Sequence, residues 1–194
     1  MSFEFPDSII CPWDGTATPG RIAQYRKYYK VKHDIVKSIN PKVIVEIGVR
    51  AGYSAFAFMS ACPDATYVGY DADNQKHGGQ GSKPYVPWAE KILNEAGFEN
   101  RMHWPVDTQK IDVLPEGGDF YHIDGDHSTA GVMHDLDLCF AQLFEGGFML
   151  IDDYDYIGGV TKGVDQWLQD HDELVEREYI KSLRGEMLIW KKAE

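Results

Sequence analysis

One feature constrains this chain more than any other. Short apolar, β-branched runs recur, each ends in a carboxylate or a glycine turn, and a segment of helical character follows most of them. Val43–Ile47 leads into a glycine-bearing turn, Gly48 to Gly52, and then a short apolar helix over Ser54–Ala61. Thr66–Tyr70 ends at Asp71, and a polar, glycine-rich loop over 73–85 precedes a helix from Trp88 to Ala96, which Gly97 closes. Met102–Val106 reads as a third strand, weakened by Pro105, and ends at Asp107 and Thr108. Asp119–Asp124 is a fourth strand with acidic ends, followed by a helix over Ala130–Phe144. Phe148–Ile151 is the fifth; it runs into Asp152 and Asp153 and then a helix over Val160–His171. This alternation predicts an α/β fold with a doubly wound, mostly parallel sheet. Leu174–Ile180 and Glu186–Lys191 read as an antiparallel C-terminal hairpin, which brings the sheet to seven strands.

The remaining chain bounds the possibilities. With 194 residues, 43% hydrophobic and 26% charged, it fits one ordinary globular domain. Residues 1–20 are rich in Pro and Gly, and apolar positions at helical spacing from Arg21 to Ile39 predict an amphipathic helix that stops before Pro41. Residues 1–40 are therefore read as an N-terminal extension and helix, a lid or a dimer face, and 41–194 as the ligand-binding domain. The basic residues Arg21, Arg26, Lys27, Lys30, Lys32 and Lys37 are expected on the solvated face of that helix. A net charge of −12 argues against nucleic acid as a partner. No apolar run approaches the ~20 residues of a membrane span, and the first residues do not read as a signal peptide. The three cysteines, Cys11, Cys62 and Cys139, lie far apart with no C-x-x-C pair, which suits a reduced, cytoplasmic protein without a thiolate zinc site.

In open α/β sheets, ligands bind beyond the carboxyl ends of the strands. Here every such end carries chemistry. The first turn has Gly48-x-x-x-Gly52, not the G-x-G-x-x-G of a pyrophosphate site, so a nicotinamide dehydrogenase is disfavoured. Asp71, about twenty residues after the glycine turn, stands where a ribose diol is hydrogen-bonded. Asp124, Asp152 and Asp153 end two strands expected to be neighbours. Carboxylates gathered at one edge repel each other, and a hard cation such as magnesium relieves the conflict.

The segment Val45-Glu-Ile-Gly-Val-Arg-Ala-Gly-Tyr-Ser-Ala55 resembles the first motif of class I S-adenosylmethionine methyltransferases, in the form found in catechol-type O-methyltransferases. His122-Ile-Asp-Gly-Asp-His127, followed by a helix, Gly146-Gly147 and Ile151-Asp-Asp-Tyr154, is similar to the metal-dependent methyltransferases of macrocin and novobiocin sugar tailoring. The resemblance implies a Rossmann-like methyltransferase domain over 41–194 with S-adenosylmethionine as cofactor. It places Glu46, Gly48, Gly52 and Ser54 around the methionine end, Asp71 at the ribose, and Asp107 and Thr108 by the adenine. Asp124 reaches both the cofactor and the metal, with Asp152 and Asp153 as its fellow metal ligands. The proton acceptor is His127 or Asp126, since both stand where relatives carry a base.

The activity so implied is transfer of a methyl group to a hydroxyl of a sugar, a phenol or another small natural product, with Mg2+ as the accompanying metal. A homodimer is compatible with the N-terminal helix. Two other readings stand beside it: a protein that binds S-adenosylmethionine without catalysis, and an oxidase resembling cephalosporin hydroxylases. Iron oxidases favour two histidines and one carboxylate, whereas three carboxylates suit magnesium. His122 lies inside a strand and reads as a hydrogen-bonded core residue. Tyr154 and Tyr156 follow the acidic pair, either as walls of an acceptor pocket or as surface aromatics.

Overall fold

The computed structural model describes residues 3–73 and 83–192. Seven strands form one mixed sheet: β1 Val43–Ile47, β2 Thr66–Tyr70, β3 Asn100–His103, β4 Phe120–Ile123, β5 Phe148–Ile151, β6 Val175–Ile180 and β7 Glu186–Lys191. Their spatial order is β3-β2-β1-β4-β5-β7-β6. β1 to β5 pair in parallel, and β7 inserts antiparallel between β5 and β6. The expected doubly wound sheet with an antiparallel terminal hairpin is therefore observed. The chain order reverses between β1 and β4, so the crevice above these strands lies at the topological switch point.

Five helices cover the faces: α1 Pro19–Ile39, α2 Tyr53–Ala61, α3 Tyr85–Glu95, α4 Thr129–Gln142 and α5 Gly158–His171. Strand parity sorts the core into two layers. Val45, Ile47, Tyr121 and Ile123 pack with Leu136, Val164 and Trp167 of α4 and α5. Ile44, Phe120 and Leu150 face Val36, Phe58 and Leu93 of α1, α2 and α3. α1 starts two residues earlier than its periodicity suggests, because Thr18 accepts a bond from the Arg21 N–H and Pro19 presets the first turn. It ends at Asn40, in the left-handed region at φ 54°.

Two expectations shift further than the other bounds. The third strand covers 100–103, not 102–106: Pro105 cannot donate to a ladder, and the Val106 N–H turns to the Asp71 carbonyl at 2.8 Å. The helix expected from Trp88 begins at Tyr85. Of the polar loop expected over 73–85, residues 74–82 lie outside the described residues. Among the described residues no helix is long and apolar enough to cross a membrane.

Candidate active site

The carboxyl edge of the sheet opens into a cleft of about 300 Å³, floored by Gly48 and walled by Asp71, Thr108, Asp124, His127 and Asp153. Each wall residue is delivered by a strand end. Gly48 follows β1 at φ 88°, and a Cβ there would sit 2.0 Å from the Asp124 carbonyl oxygen. Only glycine lets the β1 turn and the end of β4 touch in this way. Asp71 ends β2; its Oδ2 accepts the Arg50 N–H at 2.8 Å and its Oδ1 the Asp73 N–H at 2.7 Å. Two backbone donors thus hold the carboxylate at the cleft wall.

Asp107 and Thr108 follow β3 and also line the cleft. Asp107 Oδ1 accepts the Gln109 N–H at 3.3 Å, and Thr108 Oγ1 donates inward to Asp135 Oδ1 at 2.8 Å. Thr108 therefore offers the cleft a wall, while its hydroxyl is committed to the core.

At the other end of the cleft, His127 Nε2 lies 3.0 Å from Asp124 Oδ1 and 4.0 Å from Asp153 Oδ2. One donor atom each from Asp124, His127 and Asp153 falls within 4.8 Å of the others, a spacing that a single metal ion can bridge. The carboxylates here repel one another. Burial, together with the charge of Asp152, raises Asp124 above the usual carboxylate range. Burial and the charges of Asp152 and Asp124 push Asp153 up to about 6. The hydrogen bond to Asp124 raises His127. Arg184, on the turn between β6 and β7, donates Nη1 to both Asp153 oxygens at 3.0 and 3.2 Å. A cation of this protein's own thus already sits against that carboxylate. Asp126 also lines the cleft, and its Oδ1 accepts the Ser128 N–H at 2.8 Å where α4 begins.

Four residues anticipated at the site stand elsewhere. Glu46 pairs in register with His122 on the α1 face of the sheet, both fully buried. It accepts bonds from Ser54, Tyr67 and His122 Nδ1, so Glu46 and Ser54 satisfy each other beneath the cleft. Gly52, at φ 72°, is a packing position: a Cβ there would lie 2.6 Å from that of Ala89 on α3. Asp152 points away from Asp153, as successive residues at a strand end do. It accepts from Tyr28 and pairs with Lys32 at 3.0 Å. Burial opposes ionisation of Asp152, but the adjacent Lys32 charge holds it well below the usual carboxylate range. Lys32 itself is not on a solvated face. It is fully buried, 2.6 Å from His122 Nε2, and burial lowers its affinity for the proton less than the facing Asp152 and Glu186 raise it. His122 is the hydrogen-bonded core histidine anticipated.

Among the cleft residues with no role assigned from sequence are Arg50, inside the first motif, Tyr85 and Arg184. Arg184 was accessible in principle, because β6 runs parallel to β5 and the β6–β7 turn must then fall on the carboxyl edge. Tyr154 bonds Asp165 at 2.7 Å, whereas Tyr156 is exposed and stacks under Arg184 at 5.3 Å.

A seven-stranded sheet in this order, with a glycine turn after β1 and an acidic residue ending β2, defines a class I S-adenosylmethionine-dependent methyltransferase. Residues 45–154 match the methyltransferase domain family, and the chain belongs to it. No curated protein sequence matches the chain. Several solved structures share the fold. The S-adenosylhomocysteine-bound methyltransferase PaMTH1 of Podospora anserina is 19% identical, with a TM-score of 0.66 over 99% of this chain and 91% of that one. The O-methyltransferase TomG of Streptomyces achromogenes, which is involved in tomaymycin synthesis and was solved with S-adenosylmethionine, is 17% identical. Its TM-score is 0.63 over 87% of this chain and 81% of that one. The O-methyltransferase NovP is 17% identical, with a TM-score of 0.59 over 89% and 81% of the two chains.

Proposed function

We propose that this methyltransferase transfers the methyl group of S-adenosylmethionine to a hydroxyl of a small molecule, with a divalent cation held by Asp124, His127 and Asp153. The observation that carries this reading is the convergence of those three side chains within 4.8 Å at one end of the cleft that Gly48 and Asp71 line. Two carboxylates of raised proton affinity and one imidazole are a donor set that a divalent cation satisfies. The imidazole widens the candidates from Mg2+ to Mn2+ and its neighbours. One histidine, not two, sets it apart from the iron-oxidase pattern.

In this reading Asp71 receives the ribose hydroxyls, and Gly48 lets the β1 turn approach the methionine chain. Bound at the triad, a divalent cation supplies Lewis-acid polarisation of the acceptor hydroxyl. The protein's task is alignment: the acceptor oxygen must lie in line behind the methyl carbon, held against the rigid ends of β4 and β5. Asp126 and His127 are the groups that can take the hydroxyl proton. An Nε2 lone pair given to a cation leaves that task to Asp126.

Calorimetric titration with S-adenosylhomocysteine and, separately, Mg2+ and Mn2+ tests the reading. Cofactor binding with a cation signal lost in His127→Gln supports it. Cofactor binding with no cation signal removes the metal and leaves His127 as the base. Absence of cofactor binding removes the proposal.

A further inference from the structure

We infer that Arg50 is the receptor for the α-carboxylate of the cofactor's methionine chain, an inference that rests on the methyltransferase reading above. The cleft is acidic: Asp71, Asp73, Asp107, Asp124, Asp126 and Asp153 all line it. A carboxylate entering it needs a cation. Among the described residues lining the cleft, fixed positive charge stands at Arg50, Lys83 and Arg184. Arg184 is committed to both oxygens of Asp153, and Lys83 is exposed at the rim.

Arg50 is held differently. Its backbone sits in the left-handed region at φ 47°, pinned by the N–H bond to Asp71. The guanidinium is thus carried one side-chain length from the carboxylate that would receive the ribose. It lies 5.3 Å over the Tyr85 ring, and the Tyr85 side chain also hydrogen-bonds to it, which holds it against the cleft wall. Asp14 faces it at 3.6 Å, too far for a hydrogen bond. Asp14 does not depend on that pair, because the Thr16 N–H, the Thr16 hydroxyl and the Tyr53 hydroxyl already donate to it. The Arg50 Nε has no hydrogen-bond partner. The site therefore keeps a positioned guanidinium that Asp14 faces only at ion-pair distance and whose Nε is unpartnered, opposite an acidic wall. A planar fork of donors matches a carboxylate in a way that a point charge does not.

The test compares ligands with and without the amino-acid chain. S-adenosylmethionine and S-adenosylhomocysteine carry the carboxylate; 5′-methylthioadenosine keeps the adenine, ribose and sulfur but lacks it. Titrated against Arg50→Gln, the first two should bind about 10- to 100-fold more weakly than to the native protein, the range for a lost charge-assisted hydrogen bond. 5′-Methylthioadenosine should bind both proteins alike, which also reports that the variant is folded. Arg50→Lys should recover part of the loss. Equal weakening of all three ligands, or unchanged binding of S-adenosylmethionine in both variants, would overturn the assignment of Arg50 alone. A native protein that binds none of the three would overturn the methyltransferase reading and this inference with it.

Discussion

Lys32 Nζ lies 3.0 Å from Asp152 Oδ2, and both side chains are shut away from solvent, one on α1 and the other just beyond β5. The pair fastens the N-terminal helix to the sheet directly behind the carboxylates of the cleft. Removing one partner strands the other's charge in the core. Lys32→Met should therefore cost about 3–5 kcal/mol in urea unfolding, and the double variant Lys32→Met/Asp152→Asn should recover much of it. Additive losses would show that the two residues act independently.

Asp124 and Asp152 were equally plausible cation ligands by sequence, but only Asp124 faces His127. Asp124→Asn should weaken Mn2+ binding by at least about tenfold, since even outer-shell changes reach that size. Unchanged affinity in calorimetry would place the cation elsewhere.

Asp71 holds its position through the N–H groups of Arg50 and Asp73. Asp71→Asn should weaken S-adenosylhomocysteine and 5′-methylthioadenosine together, by about 1.5–3 kcal/mol, because both ligands carry the ribose. Loss confined to one of them would move the ribose away from β2.

Asp135 is fully buried under the Thr108 turn, and burial pushes it up to about 6, against an ordinary value of about 3.9. A folded-state value above the unfolded one favours the protonated native form. Its contribution is thus complete below about pH 4 and is lost as pH rises through about 6, for a total of about 3 kcal/mol. Asp153 and Glu186, raised in the same sense, add to the trend. The difference in Tm between the native protein and Asp135→Asn, followed from pH 4 to pH 8, isolates this one group. A difference that does not change with pH would refute the assignment.

Most of the fold was legible in the sequence because buried parallel strands must be continuously apolar and must end in something polar. Val43–Ile47 and Phe148–Ile151 show both properties, and both were placed correctly. The site was legible where a residue follows its strand directly, as Gly48, Asp71 and Asp124 do. It was less so where side-chain direction decides. Glu46 lies inside β1, so parity alone sends it to the α1 face, away from the ligand edge. Asp152 and Asp153 are adjacent in sequence and point to opposite environments. Lys32 looked like one of six solvated cations, because its partners, Asp152, His122 and Glu186, lie at least ninety positions away. Arg50 lay inside the first motif without a role of its own, and Arg184 gave no motif, since an arginine in a turn is ordinary until the fold shows what surrounds it.

The absent side chain at Gly48 has a consequence for how this protein can change. The turn after β1 rests on the backbone of Asp124, with no room for even a methyl group between them. The half of the cleft that would grip the cofactor and the half that would grip the cation are therefore in hard contact at one point. Any substitution at position 48 that widens one half must displace the other. Under the proposed function, a change at position 48 should alter cofactor binding and cation binding together.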